Sequence, residues 1–395
     1  MKIVIDKDIP FSDSMFAGRA EVVTAPGEKI SPELVKTADV LIVRSPTRVD
    51  ERLLAGSSVA FVGTATSGFD HVDRAYLGRR GIAFAHAPGC NADSVAEYVV
   101  AALLEIGERF HVRLRGTTIG IVGAGHVGRR VARKARALGM TVLLNDPPLA
   151  AASGGAGFLD LGDLMDADFV SLHVPLTKSG PHPTHHLFDR RRIASMRPGS
   201  FLLNTARGGV VETAALAGAL RSGGLPGAVL DVWEGEPSVD PEAVELASIA
   251  TAHIAGYSSD GKLRGAMMIY EAVCDRAGWE KTWTAPPDAL PPPARPEFTV
   301  DNSRTDEQEV LRSLVASRYA IMRDDAELRK IIRLPQDERA RYFVGLRNRY
   351  PPRREFSATT VACNRAGDSL SRAFSELGFS VRGPRIPSGK HKAKT

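Results

Sequence analysis

Three ionisable residues stand just past apolar runs in the middle of the 395-residue chain. They are Arg207 in Asn204-Thr-Ala-Arg-Gly208, Glu236 in Asp231-Val-Trp-Glu-Gly-Glu-Pro237, and His253 in His253-Ile-Ala-Gly256. A histidine titrating near neutrality can accept a hydroxyl proton at small driving-force cost. A carboxylate can hold the imidazole by one nitrogen and stabilise the cation once the proton arrives. A guanidinium offers a planar fork that grips a carboxylate and polarises the neighbouring oxygen. The three together suit oxidation of an alcohol beside a carboxylate. Singly, Arg207 and Glu236 could form a structural ion pair and His253 could be an ordinary loop residue. What favours the chemical reading is the loop that precedes them.

That loop is Gly123-Ala-Gly125-His-Val-Gly128, which follows the apolar run Ile119 to Val122. It opens a helix-compatible stretch whose Val127, Val131, Ala135 and Leu138 share one face. Gly123 can supply a tight turn, Gly125 a close backbone approach to a pyrophosphate, and Gly128 close packing of helix on strand. The exposed amides at the positive helix end, with His126 and Val127 among the contacts, would hold the phosphates. Asp146 ends the next strand, where an acid can accept hydrogen bonds from the adenosine ribose and repel a 2′-phosphate. NAD is therefore the expected cofactor. Arg129, Arg130, Arg133 and Arg136 read as the solvated face of the helix.

These residues need a scaffold of parallel strands. Apolar runs at Lys2 to Ile5, Val40 to Val43, Val59 to Val62 and Ile82 to Ala85 alternate with helix-compatible segments, the pattern of a sheet covered on both faces. A long helix is expected after Asn91. The pattern restarts at Thr117 with runs at Ile119 to Val122, Val142 to Leu144, Phe169 to His173, Phe201 to Asn204 and Val229 to Val232, a dinucleotide-type sheet. A helix from about Ser258 to Gly278 can return to the first domain. Prolines between Pro286 and Pro296 make a stiff linker. Beyond it lies a small α+β appendage with a strand-like start and helices at Val310 to Tyr319, Pro335 to Tyr342 and Ser369 to Leu377. The expected fold is thus α/β, with two Rossmann-like doubly wound domains. Residues 1–91 and 257–285 form the first, 92–256 the nucleotide-binding domain, 286–384 the appendage, and 385–395 a basic disordered tail.

Composition narrows the alternatives. At 43% hydrophobic and 25% charged residues the chain is ordinary globular material. Neither a signal-peptide pattern nor an apolar stretch of membrane-spanning length is present. Cys90, Cys274 and Cys363 are too scattered for a disulfide framework or zinc site, which points to a cytoplasmic enzyme. The net charge of +5 is concentrated at Arg353, Arg354 and Lys390 to Lys394, so neither nucleic acid nor membrane is an expected partner, whereas a small anion is. His182, His185 and His186 lie among Pro181 and Pro183 in a loop with no nearby acidic partner expected, so no metal is expected. Cys90 at a helix start could be a reactive thiol, but packing is the favoured reading.

The contexts of Arg207, Glu236 and His253 resemble those of the D-isomer-specific 2-hydroxyacid dehydrogenases. Val43-Arg-Ser45, Gly63-Thr-Ala-Thr66-Ser-Gly-Phe-Asp-His-Val-Asp73, Ala87-Pro-Gly-Cys-Asn91, Ile254-Ala-Gly-Tyr257 and Met322-Arg-Asp-Asp-Ala-Glu-Leu-Arg-Lys330 are similar to the erythronate-4-phosphate dehydrogenase branch. The resemblance covers roughly residues 1 to 382. It implies that Arg207, Glu236 and His253 are catalytic, Pro237 marking Glu236 rather than Glu234. It further implies that Val174, Ala206, Asp231 and Gly256 line the cofactor, and that Ser45, Thr66 and Tyr257, near Arg44, contact substrate. Hydroxyls and amides near Arg44 are sensible ligands for phosphate or a polyol. Local turn capping is the competing account of Ser45 and Thr66. The implied reaction takes 4-phospho-D-erythronate and NAD to a 2-oxo-3-hydroxy-4-phosphobutanoate in pyridoxal 5′-phosphate biosynthesis, in a homodimer joined by the appendage. Val174 and Pro46 depart locally from the family pattern. Two alternatives stay open: a dehydrogenase of another acid such as 3-phosphoglycerate, and a nicotinamide-sensing binding protein similar to the corepressors that reuse this fold.

Overall fold

A computed structural model describes residues 1–300, 306–363 and 368–382. The basic tail at 385–395 lies outside the described residues. Contacts divide the chain into two compact units, Met1–Ser94 with Gly256–Pro291, and Val95–Ala255 with Pro292–Thr395.

The first unit is built on β1 (Lys2–Asp6), β2 (Glu21–Ala25), β3 (Val40–Val43), β4 (Phe61–Thr64) and β5 (Ala83–His86). They lie in the order β2-β1-β3-β4-β5, all neighbours parallel. Side chains alternate between two faces along each strand. Val4, Leu41 and Val62 pack on one side with Leu54 and Leu77, and Ile3, Ile5 and Ile42 on the other with Ile269, Tyr270 and Val273. The latter three belong to the Ser259–Ala277 helix, which is N-capped by the Ser258 hydroxyl accepting from the Gly261 amide and ended by Gly278 at φ +68°. Strand β2 was not anticipated. It is an edge strand with no fully buried position, so it lacks the apolar run that marked the others.

The second unit carries β6 (Thr118–Val122), β7 (Thr141–Asn145), β8 (Phe169–Leu172), β9 (Phe201–Asn204), β10 (Gly227–Leu230) and β11 (Ile249–Ala250). The order is β11-β10-β9-β8-β6-β7. All neighbours whose pairing is described run parallel, and the strand order reverses between β6 and β8, where the crevice beyond the carboxyl ends is the place open α/β sheets take ligands. Each sheet edge has a backbone group engaged from outside the sheet. The Leu159 amide donates to the Leu144 carbonyl of β7 at 2.8 Å, and the Asp325 carboxylate accepts the Ala250 amide of β11 at 2.8 Å.

The appendage folds as β12 (Glu297–Val300), β13 (Thr360–Cys363) and β14 (Ser380–Arg382), paired in parallel, with helices at Glu307–Arg318, Ile321–Arg329, Gln336–Asn348 and Asp368–Leu377. Contacts group it with the second sheet rather than apart from it. Polar groups at the join are buried and paired, as burial requires. Lys134, from the His126–Ala137 helix, donates to the Leu377 carbonyl. Glu97, in the Ala92–Arg109 helix, accepts the Phe356 amide at 2.8 Å. Burial pushes the Glu97 carboxyl up to about 8, against the pull of Lys134. Arg353, part of the local charge excess in the sequence, is only 7% exposed. Among the described residues no helix is long and apolar enough to cross a membrane.

Candidate active site

Arg207, Glu236 and His253 follow β9, β10 and β11, three neighbouring strands, so the parallel sheet delivers all three to one end. His253 Nδ1 and Glu236 Oε1 lie 2.5 Å apart. Burial raises the Glu236 carboxyl, but the imidazole charge and hydrogen bond, followed by Arg347 and the Trp233 amide, hold it below the usual carboxylate value. His253 sits at φ +55°, a left-handed conformation that a non-glycine residue keeps only when its surroundings enforce it. The enforcing group is Asp231. Its carbonyl accepts the His253 amide at 2.7 Å. Its carboxylate, 1% exposed, takes the Thr251 hydroxyl at 2.7 Å and the Ile254 and Ala255 amides at 2.8 and 3.0 Å.

Asn204 shapes the Arg207 turn by accepting the Ala206 amide and donating to the Arg207 carbonyl, each at 3.0 Å. The Arg207 guanidinium donates to the Ala206 carbonyl at 2.7 Å. Gly208 then runs against the next loop. A Cβ at Gly208 would stand 1.9 Å from the Trp233 carbonyl carbon and 2.3 Å from the Glu234 amide. The turn bearing Arg207 and the loop bearing Glu236 are therefore in backbone contact, which only a residue without a side chain permits.

The glycine loop lies after β6. Gly123 takes φ +90°. A Cβ on Gly128 would fall 1.9 Å from the Gly123 carbonyl oxygen, whereas one on Gly125 would meet no protein atom within 4 Å. Gly125 is the N-cap of the His126–Ala137 helix, which has no side-chain cap and no acid in its first turn, leaving its amides to an anion. Asp146 accepts the Ala124 amide at 2.9 Å and caps the following helix through the Leu149 amide at 3.1 Å. Each carboxylate oxygen retains a second lone pair for a ribose hydroxyl. Val174 follows β8 beside this turn, its Cγ1 being 2.9 Å from where a Gly123 Cβ would lie. The donor set fits a dinucleotide.

One expectation fails. His186 has an acidic partner, for its Nε2 lies 2.6 Å from Glu234 Oε1. The His185 and His186 rings stack at 4.0 Å, and ligand atoms of His185, His186 and Glu234 lie within 4.8 Å of one another. The loop returns His186 to the Gly209 carbonyl at 2.8 Å, a long-range contact that spacing cannot show. His182 is not in this group. Cys90 is buried, and burial pushes its thiol up to about 11, the opposite of a reactive thiolate.

Within the first unit, Arg44 donates to Asp6 Oδ2 at 3.0 Å and Asp8 Oδ2 at 2.7 Å. Ser45 is exposed. The Thr66 hydroxyl donates to the Gly68 carbonyl at 2.7 Å and lies 2.8 Å from the Thr64 hydroxyl, so local turn bonding does occur there. Tyr257 lies under the Lys262 ammonium, 5.1 Å from ring centroid to Nζ. The Lys262 ammonium is held below its usual value by lost hydration and then by the Arg44 guanidinium. Lys262 was not among the expected site residues. Gly256 packs on Asn91, whose Nδ2 is 2.2 Å from where a Cβ would stand.

Residues 99–255 match the family described as D-isomer specific 2-hydroxyacid dehydrogenase, NAD binding domain, and residues 289–378 match a domain of unknown function (DUF3410). The chain is 47% identical over 368 residues to the erythronate-4-phosphate dehydrogenase of Salinibacter ruber, spanning 91% of this chain and 94% of that protein. It is 45% identical over 384 residues to the enzyme of the same name from Azotobacter vinelandii, spanning 96% and 99%. The chain belongs to the erythronate-4-phosphate dehydrogenase family. Among solved structures, it is similar to the D-lactate dehydrogenase of Aquifex aeolicus complexed with NAD and lactic acid, at 29% identity and TM-score 0.59, over 70% of this chain and 96% of that one. The cofactor-bound 3-phosphoglycerate dehydrogenase of Entamoeba histolytica is similar at 26% identity and TM-score 0.60, over 70% and 95%. Erythronate-4-phosphate dehydrogenases thus share with this chain a length that those structures do not cover.

Proposed function

We propose that this protein oxidises 4-phospho-D-erythronate with NAD to (R)-3-hydroxy-2-oxo-4-phosphooxybutanoate, a step in pyridoxal 5′-phosphate biosynthesis. The similarity to erythronate-4-phosphate dehydrogenases over 96% of the chain carries this reading, because the 3-phosphoglycerate dehydrogenase likeness stops at 70%. The His253–Glu236 pair has the geometry turnover needs, and measured turnover separates an enzyme from a sensor that keeps the same trio. With Nδ1 held by Glu236, Nε2 is the nitrogen that takes the substrate hydroxyl proton. Glu236 stabilises the resulting imidazolium and Arg207 grips the carboxylate. Bound NAD supplies the acceptor for the hydride leaving the carbinol carbon. The glycine loop, with His126, Val127, Val174, Ala206, Asp231 and Gly256, is assigned to the cofactor, and Asp146 selects NAD over NADP. Arg44, Ser45, Thr66 and Tyr257 are assigned to the substrate, with Lys262 added as a cation for its phosphate. All three cysteines are free, in keeping with a reducing cytoplasm. The appendage is assigned to a homodimer contact.

The test is NADH formation from 4-phosphoerythronate, 3-phosphoglycerate and D-lactate, with and without an added 2-oxo acid. Turnover confined to 4-phosphoerythronate is expected. Turnover of another acid in its place, or binding without turnover, overturns the proposal. Replacing Lys262 with glutamine is expected to raise the KM for 4-phosphoerythronate by about tenfold to a hundredfold, the worth of a charge-assisted hydrogen bond. The KM for NAD should stay unchanged in the same initial-rate measurements.

A further inference from the structure

We infer that the C-terminal appendage positions the catalytic loop of its own chain, with Arg353 and Asp325 as positioning residues. This rests on reading His253 as the proton acceptor. The loop from Ala250 to Ala255 is gripped at both ends by groups from the appendage. At its start, Asp325 accepts the Ala250 amide at 2.8 Å and the Arg329 guanidinium at 2.8 Å. Arg329 in turn donates to the Val244 and Ala247 carbonyls at 3.0 and 2.6 Å. At the loop's end, Arg353 donates to the Ala255 carbonyl at 2.7 Å. The Arg353 guanidinium also lies 4.1 Å from the centroid of the Tyr319 ring. Both Tyr319 and Tyr350 donate to Asp324 Oδ2, at 3.0 and 2.8 Å.

A buried guanidinium is costly unless it is paired and aimed. Here it is aimed at a backbone carbonyl two residues past His253. The left-handed backbone of His253 needs its neighbours held. Asp231 supplies one set of bonds from beneath, and the appendage supplies the two ends. Loosening either end lets the histidine relax away from Glu236. Turnover should then fall more than cofactor affinity, because the glycine loop assigned to the pyrophosphate sits on a different strand and only Asp231 and Gly256 of the cofactor residues adjoin this loop. The appendage therefore acts within its own chain, independently of any part in joining two copies.

The experiment uses the full-length protein carrying Arg353→Met, Arg353→Lys or Asp325→Asn. Amide hydrogen exchange across residues 249–256 reports on the loop without turnover, and initial rates report kcat and KM separately. Expected for Arg353→Met are faster exchange and a kcat lower by about tenfold to a hundredfold, the scale of a misplacement near 1 Å. The KM for NAD should change less than kcat does. Arg353→Lys should recover most of the loss, and Asp325→Asn should show a milder version of it. Faster exchange with unchanged kcat, or unchanged exchange in both Arg353→Met and Asp325→Asn, overturns the inference. Should Arg353→Met fail to fold, the near-isosteric Asp325→Asn decides alone by the same two readouts. An active His253→Asn enzyme would instead refute the proton-acceptor reading, a result separate from the exchange data.

Discussion

Replacing His253 with asparagine is expected to lower kcat for 4-phosphoerythronate by about a thousandfold or more, near the upper range for losing a general base. Asparagine is a fair probe because it tolerates the φ of +55° found at this position. Its amide can still meet Glu236, so the loop need not rearrange, yet it cannot take a proton near neutrality. In the wild type, burial raises the Glu236 carboxyl and His253 more than offsets it, so the substitution also removes the group that holds Glu236 below its ordinary value. Titration with NAD should give an affinity within about twofold of wild type, since the pyrophosphate turn lies at the end of β6 and is untouched. A kcat within about tenfold of wild type would remove His253 from the chemistry.

Gly208→Ala should be nearly as damaging, for a different reason. The added methyl would stand 1.9 Å from the Trp233 carbonyl carbon, a backbone atom that cannot swing aside as a flexible side chain can. The Arg207 turn and the Glu236 loop must then part. Overpacking of this kind costs about 1–3 kcal/mol, which urea unfolding should register, and kcat should drop by about a hundredfold as the guanidinium and the imidazole lose register. Gly128→Ala is the informative contrast. Its clash, 1.9 Å to the Gly123 carbonyl oxygen, deforms the cofactor turn, so it should chiefly weaken NAD binding. If Gly208→Ala instead retained full kcat, the contact between the two loops would have no catalytic meaning.

Much of this site could be read from the sequence because its residues sit at strand ends, and strands with two covered faces show themselves as apolar runs. Val40–Val43 and Phe201–Asn204 are fully buried, and each was anticipated. Partial burial or short length hid others. Strand β2 has no buried position, β11 is two residues long, and the Ile321–Arg329 helix buries Ile321 and Leu328 amid charged neighbours. The trio was legible for local reasons, since each member has its own short context. Pairings across long separations were not. Glu234 meets His186 across 48 positions, and Arg353 meets Ala255 across 98. Lys262 carries no local motif, and only its neighbours Tyr257 and Arg44 mark it. Gly208 has an unremarkable place in its motif, and only the approach of Trp233 explains why nothing larger fits.

The two flanks of the six-stranded sheet carry a consequence for self-association. A bare outer strand is a template on which another polypeptide can add itself, the usual route to ribbon-like polymers and strand exchange. Here Leu159 occupies the outer carbonyl of β7, and a carboxylate from the appendage takes the Ala250 amide of a strand only two residues long. At these two positions the six-stranded sheet offers no open backbone group on which a second chain could extend it.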